Sequence, residues 1–307
     1  MSINSIRVDH FYFLLETIYV FFKVYMMPKF LSDLQVKQYK EDGFISPVRV
    51  MSEAEALDLR NKIEKFEAEQ GSKMHGLQRT KCSLRFPFLY ELVMNNNILD
   101  AVEDLIGSNI LLYQTAMWFK EPETGSYVSW HQDSSYYGMD PLDLVSAWVA
   151  LSPATSESGC MQVIPGSHTN GQFPVQYTEV SEQNLLASGQ NTLFEFNKDD
   201  AVLMPLAPGE ISLHHVALVH SSRPNHSSDR RMGISIGYFP TNVRQTTKLK
   251  ASAMLMRGED LYGNFLLDEV PPIGADDPET IKRHETAVSL YREKAKECGN
   301  DTVWRLG

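Results

Sequence analysis

The sequence predicts a mainly β protein with flanking helices, and three observations support this. Two helix start signals stand near the N-terminus, at Ser32 and Ser52. From Asn109 the chain changes to short apolar and β-branched runs separated by turn residues, a spacing typical of a β barrel or sandwich. A last helix signal follows at Asp277. With 307 residues, 43% of them hydrophobic, the chain can bury a sizeable core.

The N-terminal helices are predicted from their caps. Ser32 with Gln35, and Ser52 with Glu55, form capping boxes, and the glycines at 43 and 71 favour the helix ends. A further helical stretch over about 87–106 contains a break at Asn95, Asn96 and Asn97. We therefore predict a helical N-terminal part over residues 31–107, with residues 72–86 as a polar loop.

The β core is predicted over about residues 108–243. Its strands are expected at 109–119, 144–151, 160–164, 201–204, 210–219 and 232–239. The long polar connection 169–200 is expected to be either functional, for example as a lid, or disordered. Asp277 as N-cap, Pro278 at the first helical position and Gly299 beyond the end predict a C-terminal helix over about 278–298. The simplest organisation is one domain over residues 31–307.

Residues 1–30 form an N-terminal extension that does not fit this domain. The apolar segment 11–27 is interrupted by Glu16 and Lys23, and it falls short of the roughly 20 clean apolar residues of a spanning helix. It also lacks the basic flank and cleavage site of a signal peptide. We interpret the extension as non-native or as a mis-called start, with translation beginning at Met26 or Met27. An extra packed helix and membrane association are the alternatives.

Charge and cysteine content limit the partners and the compartment. The net charge is -11 and the pI is near 5.3, which argues against nucleic acid, because phosphates demand a basic surface. Cys82, Cys160 and Cys298 are too few and too widely spaced for a disulfide framework or a zinc finger. We therefore predict a cytoplasmic protein with a small-molecule partner. A membrane is not favoured, and the sequence leaves the oligomeric state open.

A metal site is predicted from three residues. His131 and Asp133 are two apart, so on a β-strand both side chains point to one face. His220 follows the apolar run 210–219, as expected at a strand end. Two histidines and one carboxylate, with the other positions open, are the ligand set of non-heme Fe(II) oxygenases. A His-x-Asp pattern alone arises by chance, and His214 and His215 are alternative third ligands.

Arg231 strengthens the prediction. It stands eleven residues after His220 and opens the apolar strand 232–239, where a charge that only faces solvent is unexpected. A guanidinium group binds a carboxylate bidentately, so Arg231 could anchor a 2-oxo acid. Arg230 would point to the opposite face of the strand. Because His214 and His215 lack an arginine at this offset, we favour His220.

The motifs together resemble a known family. They are Trp130-His-Gln-Asp133, Ser146-Ala-Trp-Val-Ala-Leu151, the segment 158–168, and the segment 213–220 followed by Ser-Ser-Arg-Pro-Asn. From about Leu31 to Val243, the chain resembles the phytanoyl-CoA dioxygenase family of Fe(II)/2-oxoglutarate oxygenases. The resemblance implies a double-stranded β-helix core (a jelly roll, or cupin-like fold) with helices packed around it.

The resemblance also implies roles for individual residues. His131, Asp133 and His220 match the metal ligands, and Arg231 matches the anchor of 2-oxoglutarate. Ser222 matches a cosubstrate contact, and Gln114 and Trp148 match pocket positions. His168 matches a structural turn, whereas Tyr136, Tyr137 and Met139 belong either to the core or to the lip of the pocket. The implied cofactors are Fe(II), 2-oxoglutarate and O₂.

The function implied is that of a dioxygenase that hydroxylates a small molecule. By analogy with the family, a role in tailoring a secondary metabolite, such as an alkaloid or an amino-acid derivative, is one expectation. A different oxidative outcome, such as desaturation or ring formation, and a non-catalytic 2-oxoglutarate-binding module are the alternatives. A halogenase is disfavoured, because halogenases of this family lack the carboxylate ligand that Asp133 supplies here.

Overall fold

The computed structural model describes residues 28–177, 181, 183–186, 190–268 and 271–299. The apolar segment 11–27 lies outside these residues, so its interpretation remains a prediction. No helix among the described residues has the length and apolar character needed to cross a membrane.

Two β-sheets form the core. The large sheet contains β1 (Phe44–Arg49), β2 (Ile110–Lys120), β5 (Val145–Ala150), β10 (Glu210–His215), β12 (Arg231–Pro240), β14 (Ser252–Arg257) and β15 (Leu266–Leu267), in the order β1-β10-β5-β12-β2-β14-β15. The small sheet contains β3 (Val128–His131), β6 (Met161–Val163), β9 (Val202–Met204) and β11 (His220–Ser222), in the order β3-β11-β6-β9. Two further two-stranded antiparallel sheets pair β4 (Met139–Asp140) with β13 (Arg244–Gln245), and β7 (Val175–Tyr177) with β8 (Gln190–Thr192). The predicted jelly-roll core is confirmed.

The helices lie mainly before and after the strands. They are α1 (Asp33–Asp42), α2 (Glu53–Gln70), α3 (Gly76–Arg79), α4 (Pro87–Val93), α5 (Asn96–Ile106), α6 (Ser134–Tyr137) and α7 (Pro278–Glu297), with 3₁₀ turns at Cys82–Leu84, Ser167–Asn170 and Lys198–Asp200. Both predicted capping boxes form, at Ser32 and Ser52. Gly43 ends α1 with φ 83°, and Gly71 ends α2 with φ 73°, a left-handed conformation that glycine adopts without strain.

The large sheet separates the N-terminal helices α1, α2, α4 and α5 from a cavity. Alternate residues of a strand point to opposite faces. On β12, Met232, Ile234 and Ile236 pack into the hydrophobic core shared with the N-terminal helices. Arg231 and Ser235 face the other way and line the cavity. On β2, β5 and β10 the same alternation places polar and aromatic side chains on the cavity wall, namely Gln114, Trp118, Trp148 and His214.

Three strands of the large sheet, namely β1, β14 and β15, fall outside the segment 108–243 that we predicted for the β core. β1 lies in the part predicted as helical, and its Pro47 weakens the strand signal. β14 follows the predicted core, and its sequence Ser-Ala-Met-Leu-Met-Arg is rich in helix-favouring residues. Pairing with β2 decides the conformation of β14, since tertiary contacts override local propensity. The predicted loop 72–86 also contains α3 and a 3₁₀ turn.

Candidate active site

The structure brings His131, Asp133 and His220 together. Their ligand atoms all lie within 4.8 Å of one another. β3 and β11 are neighbours in the small sheet, and His131 stands directly opposite His220. Oδ1 of Asp133 lies 3.4 Å from Nε2 of His131 and 3.7 Å from Nε2 of His220. One carboxylate oxygen therefore faces both imidazoles.

Asp133 reaches this position differently from the prediction. β3 ends at His131, and Asp133 adopts φ -60° and ψ -32° as the residue that begins α6. The two side chains thus converge at a strand-to-helix junction rather than along one strand. Gln132 between them is fully buried, and its amide nitrogen donates to the carbonyl oxygens of Gly171 and Ala217. The assumption of a continuous strand was wrong, although the residues it selected lie together.

Hydrogen bonds orient all three side chains. Nδ1 of His131 lies 2.9 Å from the carbonyl oxygen of Ser129, and Nδ1 of His220 lies 2.9 Å from that of Leu218. Each contact leaves Nε2 directed towards the centre of the site, as in metal-binding histidines. The hydroxyl of Ser146 donates to Oδ2 of Asp133 at 2.8 Å, which leaves Oδ1 for the centre.

The alternative third ligands lie elsewhere. Nε2 of His214 is 3.7 Å from Oδ2 of Asp133, the oxygen already bound by Ser146. His214 therefore contacts the far side of the carboxylate, and it is not part of the three-residue ligand group. Nδ1 of His215 accepts a hydrogen bond from the backbone of Ala217, and its ring packs against His168.

Burial and hydrogen bonding together give His220 and Asp133 the protonation states that a metal site requires. Burial lowers the pKa of His220 to about 3, so this imidazole is neutral at physiological pH. Burial alone would raise the pKa of Asp133, but hydrogen bonds with His131 and His214 outweigh it and hold this pKa well below its usual range. A neutral imidazole and an ionised carboxylate are the forms that bind metal. The donor set fits Fe(II), with three further positions left for ligands from outside the protein.

Arg231 is a buried cation without an acidic partner among the described residues. It is only 3% exposed, and no carboxylate of the described chain lies within ion-pair distance of it. Its Nε atom has no hydrogen-bond partner there, and its closest polar contact is a long one, 3.5 Å from Nη1 to the carbonyl oxygen of Gly159. Burial lowers the pKa of Arg231 to about 10, so the group remains charged. A buried, unpaired charge is costly, which indicates an anionic ligand from outside the chain.

Trp148 supports this guanidinium group. The Cζ atom of Arg231 lies 5.1 Å from the centre of the Trp148 ring. The ring fits here because residue 233 is glycine: a Cβ at this position would lie 2.0 Å from Cζ2 of Trp148. Trp148 therefore forms the floor of the cavity beneath Arg231.

Ser222 and a lysine lie beside Arg231. Nζ of Lys120, a fully buried residue, donates to Oγ of Ser222 at 2.7 Å. With this lone pair occupied, the Ser222 hydroxyl can donate its own proton into the cavity, which it lines together with Arg231. Burial and, to a smaller extent, the charge of Arg231 lower the pKa of Lys120 to about 6. Lys120 was not identified from the sequence. Its only distinctive feature in the sequence is its position as a charged residue at the end of an apolar strand.

One cavity joins these residues, and it holds about 920 Å³ of space, including its opening to solvent. Its described lining also contains Gln114, Tyr136 and Tyr137, whereas Met139 is buried in the adjoining core and is absent from the lining. The side chain of Gln114 accepts a hydrogen bond from the backbone of Lys81. All seven residues singled out from the sequence, namely Gln114, His131, Asp133, Trp148, His220, Ser222 and Arg231, therefore line the same cavity.

Part of the predicted lid also reaches the cavity. Leu185 and Leu186, from the segment 169–200, line it. They are held by the residues that precede β3: the backbone N–H of Leu185 donates to the carbonyl oxygen of Tyr127, and the N–H of Tyr127 donates to Gln183. The side-chain amide of Asn184 also donates a hydrogen bond to Oγ of Ser129 at 3.0 Å. The sequence predicted a functional segment here, but it gave no signal for which residues enter the cavity.

The comparison with protein families agrees with this geometry. The model of the phytanoyl-CoA dioxygenase (PhyH) family matches residues 39–233, more than half of the chain. The chain belongs to the phytanoyl-CoA dioxygenase family. It is 31% identical over 179 residues to a probable alpha-ketoglutarate-dependent hypophosphite dioxygenase of Stutzerimonas stutzeri, which covers 58% of this chain and 62% of that protein. The chain thus spans less than two thirds of this relative's length.

Solved structures support the fold. The apo form of ThoJ, described as a non-heme monooxygenase, superposes with a TM-score of 0.76 at 27% identity, covering 87% of this chain and 99% of that one. The alpha-ketoglutarate-dependent carbocyclase SnoK superposes with a TM-score of 0.56 at 23% identity, covering 72% and 89%. Family membership and the three-residue ligand group support Fe(II) and 2-oxoglutarate as the metal and cosubstrate of the site.

Proposed function

We propose that this protein is an Fe(II)/2-oxoglutarate-dependent oxygenase that hydroxylates a small molecule. In this proposal His131, Asp133 and His220 hold the metal, and Arg231 anchors the distal carboxylate of 2-oxoglutarate. The observation that carries it is the coexistence, in one cavity, of a facial ligand group and a buried guanidinium group without an acidic partner in the described chain. Bound 2-oxoglutarate would account for both features, because its oxo acid end would bind the metal and its distal carboxylate would pair with Arg231.

Bound Fe(II) supplies the activation of O₂, with 2-oxoglutarate as the source of two electrons. The residues of the chain bind and orient the reactants. Arg231 and Ser222 hold one end of the cosubstrate against the floor formed by Trp148. Ser146 fixes the carboxylate of Asp133, and Leu185 and Leu186 cover the cavity and exclude water.

Anaerobic titration tests the proposal. Addition of 2-oxoglutarate to the Fe(II)-loaded protein should produce a weak visible charge-transfer band from the chelated oxo acid. Admission of O₂ should then release succinate. If metal and cosubstrate both bind but no band develops, the chelation geometry is wrong.

A different oxidative outcome at the same site is the second candidate, and the fold does not exclude it, since one fold supports several chemistries. Product analysis by mass spectrometry separates the two: hydroxylation adds one oxygen atom, whereas desaturation or ring formation removes two hydrogens. A binding module without catalysis predicts no succinate at all. The cytoplasmic location and the role in secondary metabolism remain parts of this proposal.

A further inference from the structure

Apart from the three metal ligands, Trp148, Ser222, Arg231 and His214, the cavity is lined by aromatic, apolar and uncharged polar side chains. These described lining residues are Thr80, Gln114, Ala116, Trp118, Val128, Tyr136, Tyr137, Met161, Leu185, Leu186, Ser221, Ser235 and Tyr291. Most are aromatic or apolar. His214 also lines the cavity, and its Nε2 atom lies 3.7 Å from Oδ2 of Asp133. Burial raises the pKa of the Tyr137 and Tyr291 phenols, so both remain uncharged. Polar contacts here come from neutral hydrogen-bonding groups.

The charged groups of the described lining are already committed. Asp133 belongs to the ligand group, and Arg231 to the cosubstrate. Three buried lysines lie near the cavity but do not line it. Nζ of Lys120 donates to Oγ of Ser222 at 2.7 Å and to the carbonyl oxygen of Arg223. Nζ of Lys81 donates to the carbonyl oxygen of Ser252 at 2.9 Å and lies 3.7 Å from Asp268. Lys294 donates to the carbonyl oxygen of Tyr137, behind the cavity wall.

The segment that contributes Leu185 and Leu186 to the cavity lining is acidic in sequence. Residues 169–200 contain five acidic residues and a single basic residue, Lys198. The whole chain carries a net charge of -11. A negatively charged protein repels an approaching anion, whereas it does not repel a neutral molecule.

We propose, on the basis of the function above, that the cavity takes a substrate whose entering part is uncharged, with an aromatic or aliphatic body, and that carboxylates and coenzyme A thioesters are rejected. A buried anion would find no free cation among the described lining residues, and its desolvation would go uncompensated. The body packs against Trp118, Val128 and the two leucines of the lid, and Gln114 and Thr80 offer hydrogen bonds.

This assignment departs from what the names of the similar proteins suggest. The family is named after a coenzyme A thioester, and the relative from Stutzerimonas stutzeri is named after hypophosphite, and both of these molecules are anions. The difference lies in this chain's own residues, because fold and metal chemistry can persist while the substrate pocket changes.

Matched probes that differ only in charge test the inference. Octanamide is compared with octanoate and octanoyl-CoA, and cinnamamide with cinnamate, by calorimetric titration of protein loaded with Ni(II) and saturating 2-oxoglutarate. No turnover is needed. At least one amide should bind about 10-fold or more tightly than its carboxylate, and octanoyl-CoA should bind no better than octanoate. The inference is overturned if no amide is preferred, including the case in which no probe binds, or if the thioester binds most tightly.

A variant reverses the preference. Leu185→Lys places a cation at the cavity and should bring carboxylate binding to at least the level of amide binding. Leu193→Lys is the matched control, because Leu193 lies on the same segment but is 53% exposed and outside the cavity lining. Equal gains in both variants would show that general surface charge, rather than the cavity, governs the preference.

The same titrations report Ni(II) and 2-oxoglutarate binding. If Ni(II) or 2-oxoglutarate does not bind, the proposed function is refuted. If both bind and the protein prefers anionic probes, only the substrate inference is refuted.

Discussion

Arg230 and Arg231 are neighbours on the chain, but their side chains make contacts on opposite faces of the large sheet. Arg230 forms a buried ion pair with Glu67 of α2 at 2.6 Å, and another with Glu121 at 2.6 Å. Arg231 enters the cavity, where it contacts Trp148. Two identical side chains thus have separate tasks, one in holding a helix to the sheet and one in the site.

This arrangement allows the two arginines to serve as mutual controls. Arg231→Ala should weaken 2-oxoglutarate binding about 30-fold or more, because a charge-assisted pair in a desolvated pocket contributes roughly 2–5 kcal/mol. Metal affinity should remain close to that of the wild type. Calorimetric titration of each ligand measures both effects.

Arg230→Ala should instead lower the free energy of unfolding by about 3 kcal/mol, because it removes the closer of the two cations that pair with the buried Glu67 and leaves only Lys73, at 3.5 Å. Its affinity for 2-oxoglutarate should be unchanged in the folded protein. Chemical denaturation measures the first quantity. If Arg230→Ala weakened 2-oxoglutarate binding and Arg231→Ala did not, Arg230 rather than Arg231 would be the anchor.

Gly233→Ala tests the floor of the cosubstrate end. The new Cβ would lie 2.0 Å from Cζ2 of Trp148, so the ring must move from under Arg231. We expect 2-oxoglutarate affinity to fall by about 10-fold or more, since misplaced positioning groups are costly. Gly237→Ala, on the same face of β12, is the control, because there the nearest atoms would lie at 3.8 Å, an ordinary contact. Equal losses in both variants would indicate a general effect on the strand.

Ser146→Ala tests how Asp133 is held. Loss of the 2.8 Å hydrogen bond to Oδ2 should weaken metal binding about 10- to 100-fold, as for outer-shell partners in other metal sites. Ser212→Ala is the control: Ser212 is also buried in the large sheet, but its hydroxyl has no hydrogen-bond partner among the described residues. Ni(II) titration of both variants provides the measurement. Equal affinities would show that the carboxylate keeps its orientation without Ser146.

Deletion of residues 1–26 tests the predicted domain boundary. Folding should be retained, because Asp104 already binds the backbone N–H groups of Lys29, Phe30 and Leu31, and the first capping box begins at Ser32. The expected result is an unchanged melting temperature and unchanged 2-oxoglutarate binding. A lower melting temperature would mean that the apolar segment packs on the domain.

The sequence predicted the features that depend on local chemistry. Ser32 and Ser52 could be recognised because a capping box is formed by residues three apart. The ligands and Arg231 could be selected because few residue types suit those roles. Asp133 shows the limit: a His-x-Asp pattern fits both a strand and a strand-to-helix junction, and only the surrounding chain decides. β14, His214 and Leu185 could not be placed, because their positions depend on contacts with distant segments.

Gln132 has a consequence for how the site assembles. Its side chain donates to Gly171 and Ala217, and it accepts hydrogen bonds from the backbone of Phe173 and the side chain of Gln172. The residue between two ligands thus joins the start of the lid segment to the turn that precedes β11. Local opening of the segment that contains Gln132 must break all of these hydrogen bonds together. The metal ligands and the base of the lid therefore belong to one cooperative folding unit, and their amide protons should exchange with solvent together.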